Sequence, residues 1–159
     1  MSEKVVKLGV VGLIRGLYVA KEVLGESRVR ISAICDKNAD RLQEAAKEIA
    51  ETPYEGVATY ADFDEMLRDA DIDAVYIATD AIYHVPYVIR ALDAGKHVIS
   101  EIPAVNTIEE ARELKAAVLR HPELKYMTGE NCFYWAFIQK WKEMYDAGRL
   151  GETIYAESE

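Results

Sequence analysis

Cysteine is almost missing from this chain: there are two in 159 residues, Cys35 inside an apolar run and Cys132 far downstream. That pair builds neither a disulfide framework nor a metal-ligand spacing, so no metal site is expected and a reducing, cytoplasmic setting suits the chain. Positive charge is also short. Nineteen Lys and Arg stand against 28 Asp and Glu, for a formal charge of −9. Without clustered basic residues to contact phosphates, non-specific nucleic-acid binding and attachment to anionic membranes are excluded. Long hydrophobic runs are lacking as well. The first, Leu8 to Ile14, is broken by Gly9 and Gly12, so it is neither a signal peptide nor a membrane span. There is no internal repeat and no low-complexity tract. What remains is 50% hydrophobic and 30% charged, the composition of one folded domain or slightly more. Its partners are then small molecules or other proteins.

The apolar pattern alternates between short β-rich runs and stretches with helical spacing, the signature of βαβ units. Strands are expected at Val5 to Val11, Val29 to Cys35, Ala74 to Ala78, His97 to Ser100 and Lys125 to Thr128. Nearly continuous apolar runs of this kind are buried on both faces. Between them, Leu42, Ala45, Ala46 and Ile49 share a helix face, as do Phe63, Met66, Leu67 and Ala70, and Val85, Val88, Ile89 and Leu92. Asp62 with Glu65, and Thr107 with Glu110, read as capping boxes. Gly95 reads as a left-handed helix terminator, and Pro122 stops the preceding helix near Arg120. The expected fold is α/β, a doubly wound parallel sheet of Rossmann type with strand order 3-2-1-4-5-6.

The last quarter reads differently. A helix through Trp135, Ile138 and Trp141 should end at Gly148, and Glu152 to Ser158 resembles a new strand with Ile154 and Ala156 on one face. The expected organisation is a dinucleotide-binding domain over 1–128, a connecting segment and helix over 129–150, and over 151–159 the first strand of a second α/β domain cut off at its start.

Candidate chemistry begins at Gly9-Val10-Val11-Gly12-Leu13-Ile14-Arg15-Gly16, between a strand and a helix. There a dinucleotide's pyrophosphate sits on a helix N-terminus, with Gly12, Leu13, Ile14, Arg15 and Gly16 as the phosphate turn. The same turn also serves simply as a tight strand-to-helix connection. Ile14 occupies the place of a second glycine, and a β-branched residue avoids positive φ, so the turn should be differently shaped or hold its phosphates farther out. Asp36 ends the second strand about 20 residues beyond Gly16, where a carboxylate accepts the adenosine ribose hydroxyls. It would repel a 2′-phosphate, favouring NAD over NADP; its alternative role is local, at the start of the helix that Asn38 caps. Thr79-Asp80 and Glu101-Ile102-Pro103 follow later strands, at the carboxyl ends where open sheets bind ligands. His84 near them is either a proton donor or a structural histidine packed on the sheet.

Several segments together resemble the Gfo/Idh/MocA group, the glucose–fructose oxidoreductases and inositol dehydrogenases. They are the glycine turn through Gly16, Asp36, Asp71 to Thr79 with His84, Ala91-Leu92-Asp93-Ala94-Gly95-Lys96-His97-Val98, and Glu101-Ile102-Pro103. The resemblance covers essentially the whole chain. It implies a Rossmann domain followed by a substrate domain that often mediates oligomerisation. It also implies that Gly12 and Gly16 shape the phosphate turn, that Asp36 takes the adenosine ribose, and that Thr79 and His84 lie along the cofactor. Glu101 would reach the nicotinamide ribose and Asn131 would line the nicotinamide end. Asp80-Ala81 stands in place of a common Pro-Asn, and Ile102 in place of the lysine of Glu-Lys-Pro. The run Glu101-Ile102-Pro103-Ala104 with Glu130-Asn131-Cys132-Phe133-Tyr134 is similar to a branch that includes glycosidases recycling a bound NAD.

Three functions are therefore open. One is an NAD-dependent oxidoreductase acting on a sugar, cyclitol or related polyol, working as a homo-oligomer. Another is a sugar lyase or glycosidase of the same fold that borrows and returns a hydride. The third is a non-catalytic nucleotide-sensing or protein-binding domain. These 159 residues alone are expected to be inactive, for want of the substrate-facing domain.

Overall fold

The computed structural model describes residues 4–50, 56–155 and 157. They divide into two compact units, Met1–Gly129 and Glu130–Glu159. The first unit alternates strand and helix throughout: β1 (Val6–Val11), α1 (Arg15–Val23), β2 (Val29–Cys35), α2 (Ala39–Ala50), β3 (Ala58–Tyr60) and α3 (Phe63–Asp69) come first. There follow β4 (Ala74–Ile77), a 3-10 turn (Ala81–Tyr83), α4 (His84–Asp93), β5 (His97–Ser100), α5 (Ile108–Arg120) and β6 (Tyr126–Thr128). The strands form one parallel sheet in the order β3-β2-β1-β4-β5-β6.

Each face of the sheet carries a core. Val11, Val75 and Ile77 pack with Met66, Val88, Leu92 and Leu114 from α3, α4 and α5. On the opposite face Val10, Ile34 and Tyr76 pack with Ala20, Ala45 and Ile49 from α1 and α2. Ile31 and Ile34 share that face although they are three apart, because the β1–β2 register shifts opposite Leu8/Gly9 and leaves Ser32 as an extra residue. The chain crosses from one face to the other between β1 and β4, so the carboxyl ends of those two strands border the crevice where such sheets bind ligands.

The helix boundaries follow their caps. The Asp62 carboxylate accepts from the Asp64 and Glu65 amides, and the Thr107 hydroxyl from the Glu110 amide at 3.1 Å. Gly95, at φ 74°, closes α4. The Glu110 carboxylate reaches back one residue farther than a capping box requires, to the Asn106 amide at 2.6 Å. Strand β3 carries no apolar run in its sequence: its three residues are half-buried or exposed at the sheet edge.

In the second unit, a 3-10 turn (Cys132–Tyr134) leads into α6 (Ala136–Asp146), whose residues are half-buried or exposed. The Phe137 ring contacts both Trp135 and Trp141. Of the strand expected over 152–158, residues 152–155 and 157 are irregular, and Ala156 and Ser158 lie outside the described residues. A strand exists only as part of a ladder, and no segment described in this unit supplies one.

Candidate functional site

The β1–α1 turn is built by glycines with two different duties. Gly12 has φ 84°, and a Cβ there would lie 2.5 Å from the Ala78 carbonyl oxygen at the end of β4. Only glycine lets the turn pass that close. At Gly16 a Cβ would meet Val10 Cγ1 at 2.7 Å, so this glycine lets the first turn of α1 lie on the sheet. Ile14 takes helical geometry. It sits at φ −70°, ψ −66°, in the helical region at the start of α1, with 74% of its surface exposed. No positive φ is demanded of it, so its β-branch causes no strain. Helix α1 opens with no acidic residue in its first turn and no side-chain cap, which leaves the positive end of its dipole turned toward the crevice.

Asp36 closes the other side of this turn. Its carboxylate is 8% exposed and accepts from the Leu13 amide (2.9 Å), the Asn38 amide (2.8 Å) and Arg41 Nη1 (3.4 Å). It buttresses the turn and the start of α2, and it also borders a cavity. A carboxylate offers about four lone-pair positions, so acceptor capacity remains after these three bonds. The cavity measures about 630 Å³, within the range of small-molecule sites. Gly12, Leu13, Ile14, Arg15, Asp36, Thr79 and Asp80 all line it, together with Lys37, Arg41, Phe63, Tyr83 and Tyr87. Cys35 lines it too, with its thiol pushed up to about 12, first by burial and then by Asp62 and Asp36; it is no thiolate nucleophile. A tight glycine turn bordering the cavity, a helix start without acidic side chains and a partly satisfied carboxylate together fit a dinucleotide.

Glu101, after β5, meets the turn through Arg15, whose Nε donates to Glu101 Oε1 at 3.0 Å. The Tyr76 hydroxyl donates to the same oxygen. Burial pushes the Glu101 carboxyl up, but the bonds from Tyr76 and Arg15 outweigh it and the net shift is down. The Arg15 guanidinium is raised in turn, chiefly by its bond to Glu101.

His84 is 1% exposed, with Nδ1 2.8 Å from the Pro103 carbonyl and Nε2 3.0 Å from the Thr79 carbonyl. Both ring nitrogens face backbone carbonyls, and the one that carries the proton donates to its carbonyl, so the ring sits between the loop after β4 and the loop after β5. Asn106 ties the same loops, donating to the Ala81 carbonyl at 3.1 Å. Ile102 is half exposed. Asn131 belongs to the second unit, just before its 3-10 turn. Sequence reasoning passed over Tyr76, whose signal was a hydroxyl in an otherwise aliphatic buried strand, and Lys37, Arg41 and Tyr83, which carried none.

Among the described residues no group of three or more His, Cys, Asp or Glu side chains could hold a metal ion, and no helix is long and apolar enough to cross a membrane. Comparison with known proteins adds the following. A family model described as an oxidoreductase family with an NAD-binding Rossmann fold matches residues 6–129. Scyllo-inositol dehydrogenase from Lactobacillus casei superposes with a TM-score of 0.87 at 30% identity, over 96% of this chain and 44% of that one. The same enzyme with bound NAD(H) and scyllo-inositol gives 0.86 over 94% and 43%. An alpha-N-acetylgalactosaminidase of Bacteroides fragilis is 32% identical over 96% of this chain and 36% of its own length. A glycosyl hydrolase family 109 protein of Saccharopolyspora erythraea is 30% identical over 97% and 34%. The chain thus spans about a third of the curated relatives it matches.

Proposed function

The chain belongs to the Gfo/Idh/MocA oxidoreductase family, with its NAD-binding Rossmann fold, and from that premise we propose that it is the cofactor-holding part of a dehydrogenase acting on a sugar, cyclitol or related polyol. The observation that carries this is the cavity running from Asp36 past the start of α1 to the end of β4. In this reading the adenosine ribose hydroxyls use the remaining acceptor capacity of Asp36, and a 2′-phosphate meets its negative charge, so NAD is preferred to NADP. The turn from Gly12 to Gly16 receives the pyrophosphate, with the Leu13, Ile14 and Arg15 backbone about it. Thr79 and Asp80 flank the cofactor's course, and Glu101 accepts from the nicotinamide ribose. His84 holds the two loops at their spacing. When bound, NAD supplies a hydride acceptor at its nicotinamide ring. Ile102 offers no proton to a substrate hydroxyl. The substrate pocket then lies in a further part of the protein, and these residues alone turn nothing over. The remaining elements of the proposal are a cytoplasmic setting and self-association.

A second reading is favoured by Ile102 itself. A glycosidase that oxidises its sugar transiently and returns the hydride has less need of the lysine, and relatives carrying glycosyl hydrolase names match nearly the whole chain. Accumulation of NADH when the full-length protein meets a polyol supports the dehydrogenase; glycoside cleavage without net NADH supports the glycosidase.

The test of the cofactor site is calorimetric titration of NADH and NADPH into the chain and into Asp36→Ala. NADH should bind, NADPH should bind more weakly, and the substitution should narrow the gap. Failure of NADH to bind the parent chain overturns the reading.

A further inference from the structure

Strand β4 reads Ala74-Val75-Tyr76-Ile77, and all four residues are buried. A phenylalanine in place of Tyr76 would bury the same ring without taking a hydroxyl out of water, and a buried hydroxyl is costly unless it finds a partner. The partner here is a carboxylate. The Tyr76 hydroxyl and Arg15 Nε donate to the same atom, Glu101 Oε1, the tyrosine from β4 and the arginine from the start of α1. The two donors differ in mobility. Arg15 is half exposed, whereas Tyr76 is 5% exposed and packed with Val10, Leu13 and Ala20. Burial, then the bond to Glu101, pushes the phenol up, so the hydroxyl remains a donor across the working range.

Arg15 stands on the wall of the cavity, with Glu101 joined to it by the ion pair. A dinucleotide occupying the cavity and continuing toward the end of β5 therefore meets Arg15 before Glu101, and must share or replace it. We propose that Tyr76 is a positioning residue for the cofactor, holding Glu101 in place to receive the nicotinamide-side ribose as Arg15 gives way. The proposal rests on the role given to Glu101 above. A carboxylate left with only the neighbouring Ile102 amide would be free to swing. With Tyr76 fixed in the sheet, Glu101 keeps a side-chain donor as well, and its acceptor geometry is set before the cofactor arrives.

NADH and ADP separate this role from a purely structural one, because ADP lacks the second ribose and nicotinamide. In Tyr76→Phe, NADH affinity should fall about tenfold, the worth of one hydrogen bond to a charged group. ADP affinity should stay within about twofold of the parent. Glu101→Ala should show the same selective loss, and Tyr76→Phe added to it should cost nothing more. Equal loss of NADH and ADP in Tyr76→Phe, or unchanged NADH affinity, overturns the proposal while leaving the cofactor site standing. No NADH binding by the parent chain overturns the cofactor site and this proposal with it. Should Tyr76→Phe fail to fold, Glu101→Ala decides: unchanged NADH affinity there removes the carboxylate's role and with it that of Tyr76.

Discussion

At Gly12 two costs of substitution coincide, a φ of 84° that L side chains avoid and a Cβ only 2.5 Å from the Ala78 carbonyl oxygen. Backbone and not a flexible side chain stands in the way, so neither cost can be relaxed cheaply. Gly12→Ala should therefore lose at least about 2 kcal/mol of stability, measured by urea unfolding. Gly25 supplies the control: nothing lies within 4 Å of its Cβ position, and Gly25→Ala should be neutral or slightly stabilising. Asp36 presents a subtler case. Oδ2 takes the Leu13 amide and Oδ1 the Asn38 amide, and asparagine has a single acceptor oxygen. Asp36→Asn should cost about 1 to 2 kcal/mol in unfolding even without ligand, because one amide of the turn or of the α2 start loses its partner. Gly12 and Asp36 were legible in the sequence because each does what its residue type is nearly alone in doing. Ile14 was not. Its consequence depends on φ, and an α1 that starts one residue after it absorbs the β-branch in helical geometry.

Among the elements, the caps were the most transferable signal, since a side chain accepting from an amide three residues on is a local event. Thr107→Ala should cost about 1 kcal/mol by that lost bond alone. Strand β3 shows the opposite limit. Ala58–Tyr60 becomes a strand by pairing with Ala33 to Cys35, a non-local cause that leaves no periodicity in three residues. The β1–β4 junction is also tied by charge: Asp73, just before β4, accepts from Lys4 Nζ at 2.8 Å and from the Lys7 amide at 3.0 Å. The bond from Lys4, then that from Lys7, holds the Asp73 carboxyl below its ordinary value. A depressed carboxyl stabilises the fold fully above the unfolded value of about 4 and loses that contribution as pH falls through the lower folded value. Asp73→Asn should accordingly lower the melting temperature at pH 7 and make it fall less steeply between about pH 5 and pH 3 than the parent's does.

For the whole molecule, the strand order could be read because alternating β and α runs admit few right-handed topologies, and the crevice then follows from where the order reverses. The turn and the carboxylate that border it were legible through Gly12 and Asp36. The contacts among Arg15, Tyr76 and Glu101 were hidden, because the residues come from three elements and meet only once the sheet is assembled. All six strands, both cores and the cavity lie within residues 1–129, and the family model ends at residue 129. The described residues of the second unit include none that is buried, so that unit encloses no core of its own. Hydrophobic stabilisation scales with apolar area withdrawn from water, so the cooperative unfolding of the chain should belong to the first unit. A chain ended after Gly129 should then unfold in one transition and bind ADP with the affinity of the 159-residue chain, read by calorimetry. NADH is the more demanding probe. Every residue that lines the cavity lies before residue 130, so the shortened chain should bind NADH as tightly as the parent does, and a selective loss of NADH with ADP unaffected would show that the first unit is not sufficient for the cofactor.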